Sequence, residues 1–513
     1  MQRIFGPPGT GKTTTLLNLV ENELAKGTSP SRIAFFAFTR KAANEAKERA
    51  AKRFGLDPKN DLPFFRTLHS LAFNLTGLRT DQLMTGLHYQ ELQRATGIEL
   101  MEGTMDHLSS APQNYVTDVN HSLTKETPLL RLITLARLKK NLLKDEYNLS
   151  GLDEPWLEVD YVARSLKAYK KTHGLFDYTD MLELFAKTAP TVCPTFKLAM
   201  LDEAQDLSPL QWDIAHAIDG KSERMYCAGD DDQAIYKWSG ADVEHFINLD
   251  GGSEVLEQSY RVPSNIHAVA ERICARIKRR FPKKYLPKPS EGKLQRLTDF
   301  SGLDMNSGSW LFLAQANYFL SPVQQFLKSQ GYYFEYGGGV RSVRDKIRVA
   351  LSAWQCMQNN QPISFESAKA MYSFMSGNGV RVARGYKKIV GDPEALFTYD
   401  DLKDFNGLLA TPDMDWRDAL DKLPDVDVAY INALVQRGED VSAEPRIRLS
   451  TIHGAKGGEA DNVVLFTDIT AAAEASMESD PDSMHRVFYV AVTRTRQNLY
   501  TLEPQNFYRS YAI

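Results

Sequence analysis

The sequence predicts an α/β fold with two parallel-sheet cores, each interrupted by a helical insertion. Three observations predict it. The chain opens on a strand, a glycine-rich loop, a helix and a second strand; an apolar run at 196–201 stops abruptly on two carboxylates; and further apolar strands stand at 309–314, 447–452 and 462–467, with long stretches of purely helical spacing between. Alternating strand and helix is the pattern of βαβ units, and continuous apolar runs are what strands buried on both faces require.

In chain order, Arg3-Ile4-Phe5 is the first strand, followed by Gly6-Pro7-Pro8-Gly9-Thr10-Gly11-Lys12-Thr13. Leu16, Leu17, Val20 and Leu24 then recur at helical spacing until Gly27 stops them, and Arg32 to Phe38 is a β-rich run ending in polar Thr39-Arg40-Lys41. From 78 to 172 strand signals fade. The clearest helix there runs from Leu129 to Leu143, with leucines on one face and Arg131, Arg137, Lys139, Lys140 and Lys144 elsewhere. Phe196 to Leu201 reads as a buried strand that delivers Asp202 and Glu203 at its carboxyl edge, where α/β sheets place their ligands. The Gly337-Gly338-Gly339 turn precedes a second helix-rich interruption. The expected organisation is therefore a first core of residues 1–77 and 173–250 with an insertion at 78–172, and a second core of residues 251–345 and 441–513 with an insertion at 346–440.

A chain of 513 residues exceeds one core, and 43% hydrophobic with 25% charged residues is ordinary globular composition. No apolar run reaches the ~18 residues of a membrane span, and the N-terminus lacks the pattern of a signal peptide, so a cytoplasmic protein without membrane contact is expected. Cys193, Cys227, Cys274 and Cys356 form no CxxC pair, so neither a zinc ribbon nor an iron–sulfur cluster is suggested, and they read as isolated reduced thiols. A net charge of -4 excludes a surface that coats nucleic acid throughout; any such contact is confined to a groove.

Gly6 to Thr13 fits GxxxxGK[ST]. In that pattern the glycines let backbone N–H groups close around phosphates, the lysine adds charge and the final hydroxyl binds Mg²⁺. Asp202 and Glu203 then suit a metal-orienting carboxylate and a base for the attacking water, although acidic pairs at strand ends are commonly just solvated. Arginines such as Arg261 and Arg494 read by default as surface ion pairs. The run Arg276 to Lys284, with six basic residues, reads either as a phosphate contact or as a solvated face. Asp230-Asp231-Asp232 has the composition of a metal site, but no second metal is expected.

Read together, eight blocks resemble the ordered motifs of UvrD/Rep/PcrA-type helicases of superfamily 1. They are Gly6–Thr13, Phe36–Ala43, Thr67–Ser70, Leu201–Asp206, Gly229–Ala241, Gln258–Arg261, Thr451–Glu459 and Tyr489–Arg494. Phe176–Leu182 resembles the segment by which that family re-enters its first motor domain. The resemblance implies two RecA-like motor domains with ATP and Mg²⁺ between them. It assigns Lys12 to the β- and γ-phosphates, Thr13 and Asp202 to the Mg²⁺, Glu203 to the catalytic water and Gln233 to sensing the γ-phosphate. Arg261 and Arg494 become arginine fingers, Tyr260 a stacking partner for the base and Glu459 a ligand of the ribose.

For the nucleic acid, the resemblance implies base-stacking platforms at Trp238 and Phe38. Thr39, Arg40, Lys41, Thr67, His69 and His453 fall in segments that touch the strand. The implied activity is ATP-driven 3′ to 5′ movement on single-stranded DNA and separation of duplex at single-strand/double-strand junctions, by a monomer that loading, replication or repair proteins could recruit. The alternative is a DNA-dependent ATPase that translocates or remodels protein–DNA complexes without unwinding. A small-molecule kinase would leave the Arg261 and Arg494 blocks without purpose. The sequence departs from the pattern in beginning after the point where relatives carry an adenine-reading glutamine segment, and in having Gly458 and Thr495 where leucine and alanine are usual.

Overall fold

Six short strands align in parallel: β1 (Gln2–Phe5), β2 (Ile33–Ala37), β3 (Phe65–Thr67), β4 (Leu198–Leu201), β5 (Met225–Gly229) and β6 (Ser253–Val255), in the spatial order β3-β2-β4-β5-β1-β6. Of the inner strands, β2 and β4 are buried along their whole length with apolar side chains on both faces. Every pairing between neighbours is parallel. The side-chain alternation of a strand splits β2 cleanly: Ile33, Phe35 and Ala37 join one apolar cluster, Ala34 and Phe36 another. The first cluster is closed by α1 (Lys12–Ala25) and α2 (Arg40–Phe54), through Leu16, Leu17, Val20, Ala43, Ala46 and Ala50. The second is closed by helices carrying Leu68, Leu71, Leu182, Phe185, Trp212 and Ile214.

These observations come from a computed structural model that describes residues 1–101 and 127–513. Its contacts divide the chain into two compact units, one of residues 1–296, 452–460 and 467–513, the other of residues 297–451 and 461–466.

In the first unit, α3 (Leu68–Leu75) is followed by a helical insertion of α4 (Gly86–Thr96), α5 (Pro128–Leu138), α6 (Leu143–Ser150) and α7 (Trp156–His173). These helices share an apolar core that includes Tyr89, Leu92, Leu130, Ile133, Val159 and Val162. The single helix expected from Leu129 to Leu143 ends at Leu138. Lys140 adopts a left-handed backbone, φ 58°, which breaks the run, and a new helix starts at Leu143. Arg137 is no surface charge. Its guanidinium bonds Asp177 (2.8 Å), Asp180 (2.5 Å) and Glu183 (2.9 Å), and Lys170 joins the same cluster. Asp177 also caps α8 (Tyr178–Val192) by accepting from Asp180 N, which fixes the return of the chain to the sheet.

In the second unit, Trp310–Ala314 pairs in parallel with both Ile447–Thr451 and the strand that ends at Phe466, and Ile447–Thr451 pairs in parallel with Phe334–Tyr336. The glycine triplet makes the turn of a hairpin from Phe334–Tyr336 to Val340–Arg341, all three glycines at positive φ. The stretch 346–440 is mostly helical, Asp345–Gln358, Phe365–Ser373, Tyr399–Asn406 and Asp425–Arg437 being the longer pieces. It adds a two-strand ladder, Ile363–Ser364 with Leu396–Phe397, that helical spacing did not announce.

Candidate nucleotide and nucleic-acid site

All the side chains described in this section lie in the first unit. At the carboxyl edge of the sheet β5 lies between β1 and β4, so the loop after β1 and the acidic pair after β4 flank its end. Gly6 N donates to Gly229 O (2.9 Å), tying the loop to that end. Gly9 and Gly11 take positive φ, 73° and 83°. At Gly9 the reason is contact as well as conformation: a Cβ there would lie 2.3 Å from Arg261 Cβ. Thr10 closes the turn through bonds from its N–H and hydroxyl to Pro7 O (3.2 and 2.8 Å). Lys12 folds over the loop and donates to Gly6 O (2.9 Å), with Glu203 Oε1 4.0 Å from its Nζ.

Behind the loop, Thr13 Oγ1 donates to Asp202 Oδ2 (3.1 Å), so a hydroxyl and a carboxylate oxygen are paired two residues after the N-cap Gly11. Hard oxygen ligands of this kind, beside a glycine cradle lined by N–H groups, fit a Mg²⁺–nucleotide pair. Burial and the adjacent Glu203 push Asp202 up to about 6. Burial also acts against the Glu203 carboxylate, but Lys12 and Lys456 outweigh it and hold the group down at about 2. Glu203 stands at φ 57°, a left-handed conformation rare for a residue with a side chain, and Gln205 Nε2 holds its carboxylate.

The block at 258–263 reaches the loop directly. Tyr260 N donates to Gly9 O (2.9 Å), and the buried Ser259 hydroxyl donates to Pro8 O (2.7 Å). Arg261 pairs with Glu459, which also lies 3.5 Å from Arg496. The Tyr260 ring is 75% exposed beside the loop. Arg494, buried at the end of the helix Pro481–Val492, donates to Gln233 Oε1 (2.7 Å), and Gln233 Nε2 donates to Asp230 Oδ2 (2.7 Å). Burial, then the nearby Arg261, lowers the Arg494 guanidinium to about 9. Neither arginine is the surface ion pair that its residue type suggests by default. The structure thus brings Lys12, Glu203, Gln233, Arg261, Arg494 and Glu459 into one network.

Beside that network lies a run of rings. Phe38, half-buried, stacks on the buried Tyr236 (centroids 5.7 Å, 21° between planes). Trp238 is half-buried, with the Arg131 guanidinium 5.2 Å from its centroid and His453 edge-on at 6.4 Å. His69 and His453 are half-buried, and burial pulls both down to about 4, with Arg40 and Lys456 respectively assisting, so both are neutral at pH 7. Arg40 and Lys41 are exposed on the first turn of α2. The two threonines have visible local tasks: Thr39 Oγ1 accepts from Ala42 N and Thr67 Oγ1 from Ser70 N, each capping the helix that follows.

One expectation changes. Arg280 forks onto Asp232 (2.8 and 2.7 Å), while the buried Lys283 contacts Asp230 (3.1 Å), Asp231 (2.6 Å) and Asp232 (2.6 Å). The central part of the basic run is therefore neither a phosphate contact nor a solvated face; it neutralises the acid triplet. The triplet's oxygens lie within 4.8 Å of one another, and the Lys283 ammonium contacts all three carboxylates. Sequence reasoning also passed over Lys456, Ser259 and Arg131. Lys456 and Ser259 lie inside quoted blocks, and a lysine between glycines in Gly454–Gly458 was the available signal; Arg131 carried none, because its partner Trp238 is over a hundred positions away.

A parallel sheet with a glycine-cradled lysine after its first strand and a carboxylate pair after a neighbouring one defines the P-loop class. Residues 3–252 match the UvrD/REP helicase N-terminal domain and residues 446–502 the UvrD-like helicase C-terminal domain, together more than half of the chain. The chain belongs to the UvrD/Rep helicase family. Its mixed α/β architecture, with parallel sheets and many helices, is the one expected of two RecA-like helicase domains. Among similar proteins, the ATP-dependent DNA helicase PcrA of Leuconostoc citreum is 26% identical over 341 residues, 64% of this chain and 43% of that one. The PcrA of Bacillus subtilis is 24% identical over 299 residues (55% and 39%), and the DNA helicase II of Rickettsia typhi 27% over 302 (54% and 42%). The chain thus aligns with about two fifths of the length of these relatives. Among the described residues no helix is long and apolar enough to cross a membrane.

Proposed function

We propose that the protein is an ATP hydrolase that moves along single-stranded DNA in the 3′ to 5′ direction and separates duplex at junctions, a cytoplasmic DNA helicase acting as a monomer and open to recruitment by loading, replication or repair proteins. In this reading residues 1–77 with 173–250 and residues 251–345 with 441–513 are the two RecA-like motor domains, and 78–172 and 346–440 their insertions. The observation that carries it is the convergence of Lys12, near one end of the chain, Glu203 and Arg261, from its middle, and Arg494, near its other end, on one network.

The chemistry follows from those positions. The loop N–H groups and Lys12 would hold the β- and γ-phosphates, and Thr13 and Asp202 a Mg²⁺, whose charge screens the phosphate oxygens. Glu203 accepts a proton from water as the water oxygen bonds to the γ-phosphorus. The bond to the β–γ bridging oxygen breaks, leaving ADP and inorganic phosphate. Arg261 and Arg494 fit the charge that spreads over the γ-oxygens, because a planar guanidinium can donate to two at once. Arg261 would exchange Glu459 for phosphate, freeing Glu459 for the ribose, and Tyr260 would stack on the base. The Phe38–Tyr236 stack and Trp238 offer faces for unpaired bases, contacts of ~1–3 kcal/mol each that ignore sequence. Arg40, Lys41, Thr39, Thr67, His69 and His453 border them along the backbone path.

The test is ATP hydrolysis by the full chain with and without oligo-dT, then strand release from duplexes tailed at 3′ or 5′ ends. Hydrolysis is expected to be slow alone, to rise with single strand and to vanish in Lys12→Ala; a rate indifferent to DNA rejects the reading. ATP use with no strand released from a 3′-tailed duplex selects the translocating or remodelling ATPase instead.

A further inference from the structure

Lys456 stands where the nucleotide network and the ring platform touch. Its ammonium donates to Asp206 Oδ2 and to Gln233 O (2.8 Å), lies 4.0 Å from Glu203 Oε2 and sits 4.9 Å from the Tyr236 ring centroid, with only 7% of the side chain exposed. Each neighbour leads elsewhere. Glu203 is the proposed water base, Gln233 is bonded to Arg494, and Tyr236 stacks on Phe38 while its hydroxyl donates to His453 O (3.2 Å).

We infer that Lys456 is a positioning residue that couples strand contact to the nucleotide site, its ammonium shifting between Asp206 and Glu203 as the Tyr236 ring moves. The inference rests on the ATP and DNA reading above and names the element through which the two sites communicate. Asp206 is equipped for such an exchange. Its Oδ2 holds the ammonium, while Oδ1 is buried without a partner, so the pair has an acceptor position in reserve. Burial pushes this carboxyl up to about 7 in spite of Lys456, which makes it a weak permanent anchor near neutrality. Through Gln233 and Glu203, a movement of this ammonium at the rings would change the geometry of the nucleotide site without touching the phosphates.

Coupling between two sites is reciprocal, so it is measurable without turnover. The experiment measures the affinity of the full chain for a labelled oligo-dT by fluorescence anisotropy, with and without a non-hydrolysable ATP analogue and Mg²⁺. In the parent chain the analogue is expected to change the oligo-dT affinity by about fivefold or more. In Lys456→Met that ratio falls to near unity while either ligand alone still binds, and Lys456→Arg restores it. Asp206→Asn, which leaves the lysine in place, also shrinks the ratio. A Lys456→Met protein with the parent ratio overturns the inference, as does one that loses either ligand outright, which marks a purely structural lysine. A parent chain that binds both ligands without linkage overturns the inference alone; one that binds neither overturns the function on which it rests.

Discussion

Two acidic blocks leave neighbouring strands of one sheet at the same edge, and they are put to opposite uses. After β5, Asp230, Asp231 and Asp232 are met by Lys283 and Arg280, and the backbone N–H of Phe281 adds a bond to Asp231 (2.7 Å). After β4, Glu203 lies 4.0 Å from Lys12 and Asp202 accepts from the Thr13 hydroxyl. Burial works against the Lys283 ammonium, yet three carboxylates together hold its proton more firmly than an ordinary lysine's. The first block is a closed ion-pair cluster that joins the end of β5 to residues 280–283. The second leaves Asp202 half a step from protonation and Glu203 ionised, which is the separation of roles that a metal ligand and a base need. Acidic residues at a sheet edge become chemistry only where the cations around them are not already committed.

The comparison can be broken most directly by removing one lysine from each block. Lys283→Met leaves buried carboxylates without their counter-charge, and the expected loss is about 3–5 kcal/mol in urea unfolding. Lys12→Met, by contrast, is expected to change stability by no more than about 1 kcal/mol while abolishing hydrolysis. Similar losses of stability in the two variants would erase the distinction.

A finer test replaces one aspartate in each block with asparagine and follows stability against pH. Asp202 titrates at about 6 when folded, above the ordinary 3.8, so between those values the folded chain binds the extra proton and stability is lost as pH rises. Asp202→Asn removes that loss and should stabilise by on the order of 2 kcal/mol above pH 6, with the gain fading below pH 4. At Asp232 burial is outweighed by Lys283 and Arg280, and the carboxyl is held at about 2. Its contribution is present above pH 4 and is lost as pH falls, so Asp232→Asn should destabilise at neutral pH. Shifts of the same sign would show that the two blocks share one electrostatic regime.

Why one block was legible and the other was not follows from sequence distance. The phosphate loop, Asp202, Glu203 and both strand runs around them are local patterns, in which residue type and spacing already imply geometry. The parallel core was legible for the same reason, since both faces of β2 read as apolar. Lys283 closing on Asp231, Arg131 over Trp238 and Lys456 between Asp206 and Glu203 are pairings across 52, 107 and 250 positions, which no local pattern encodes. The break in the helix at Leu138 was hidden for another reason: leucines continue at helical spacing past it, and only the left-handed Lys140 ends the helix.

The threonines at the edge of the sheet sharpen the same contrast at smaller scale. Thr67 is buried and its hydroxyl accepts from Ser70 N (3.2 Å) at the start of α3, while the family resemblance assigns it to the nucleic acid. A capping hydroxyl lost to alanine costs about 0.5–2 kcal/mol, because one of the orphan N–H groups of the first turn goes unpaired. Thr67→Ala should therefore lower the free energy of unfolding in urea by that amount, and Thr67→Ser should recover it. If the cap is its whole task, oligo-dT affinity stays unchanged once the variant is measured well below its unfolding midpoint. If affinity falls in a folded Thr67→Ala protein, the hydroxyl serves both the helix and the strand, and the edge after β3 carries function as the edge after β4 does.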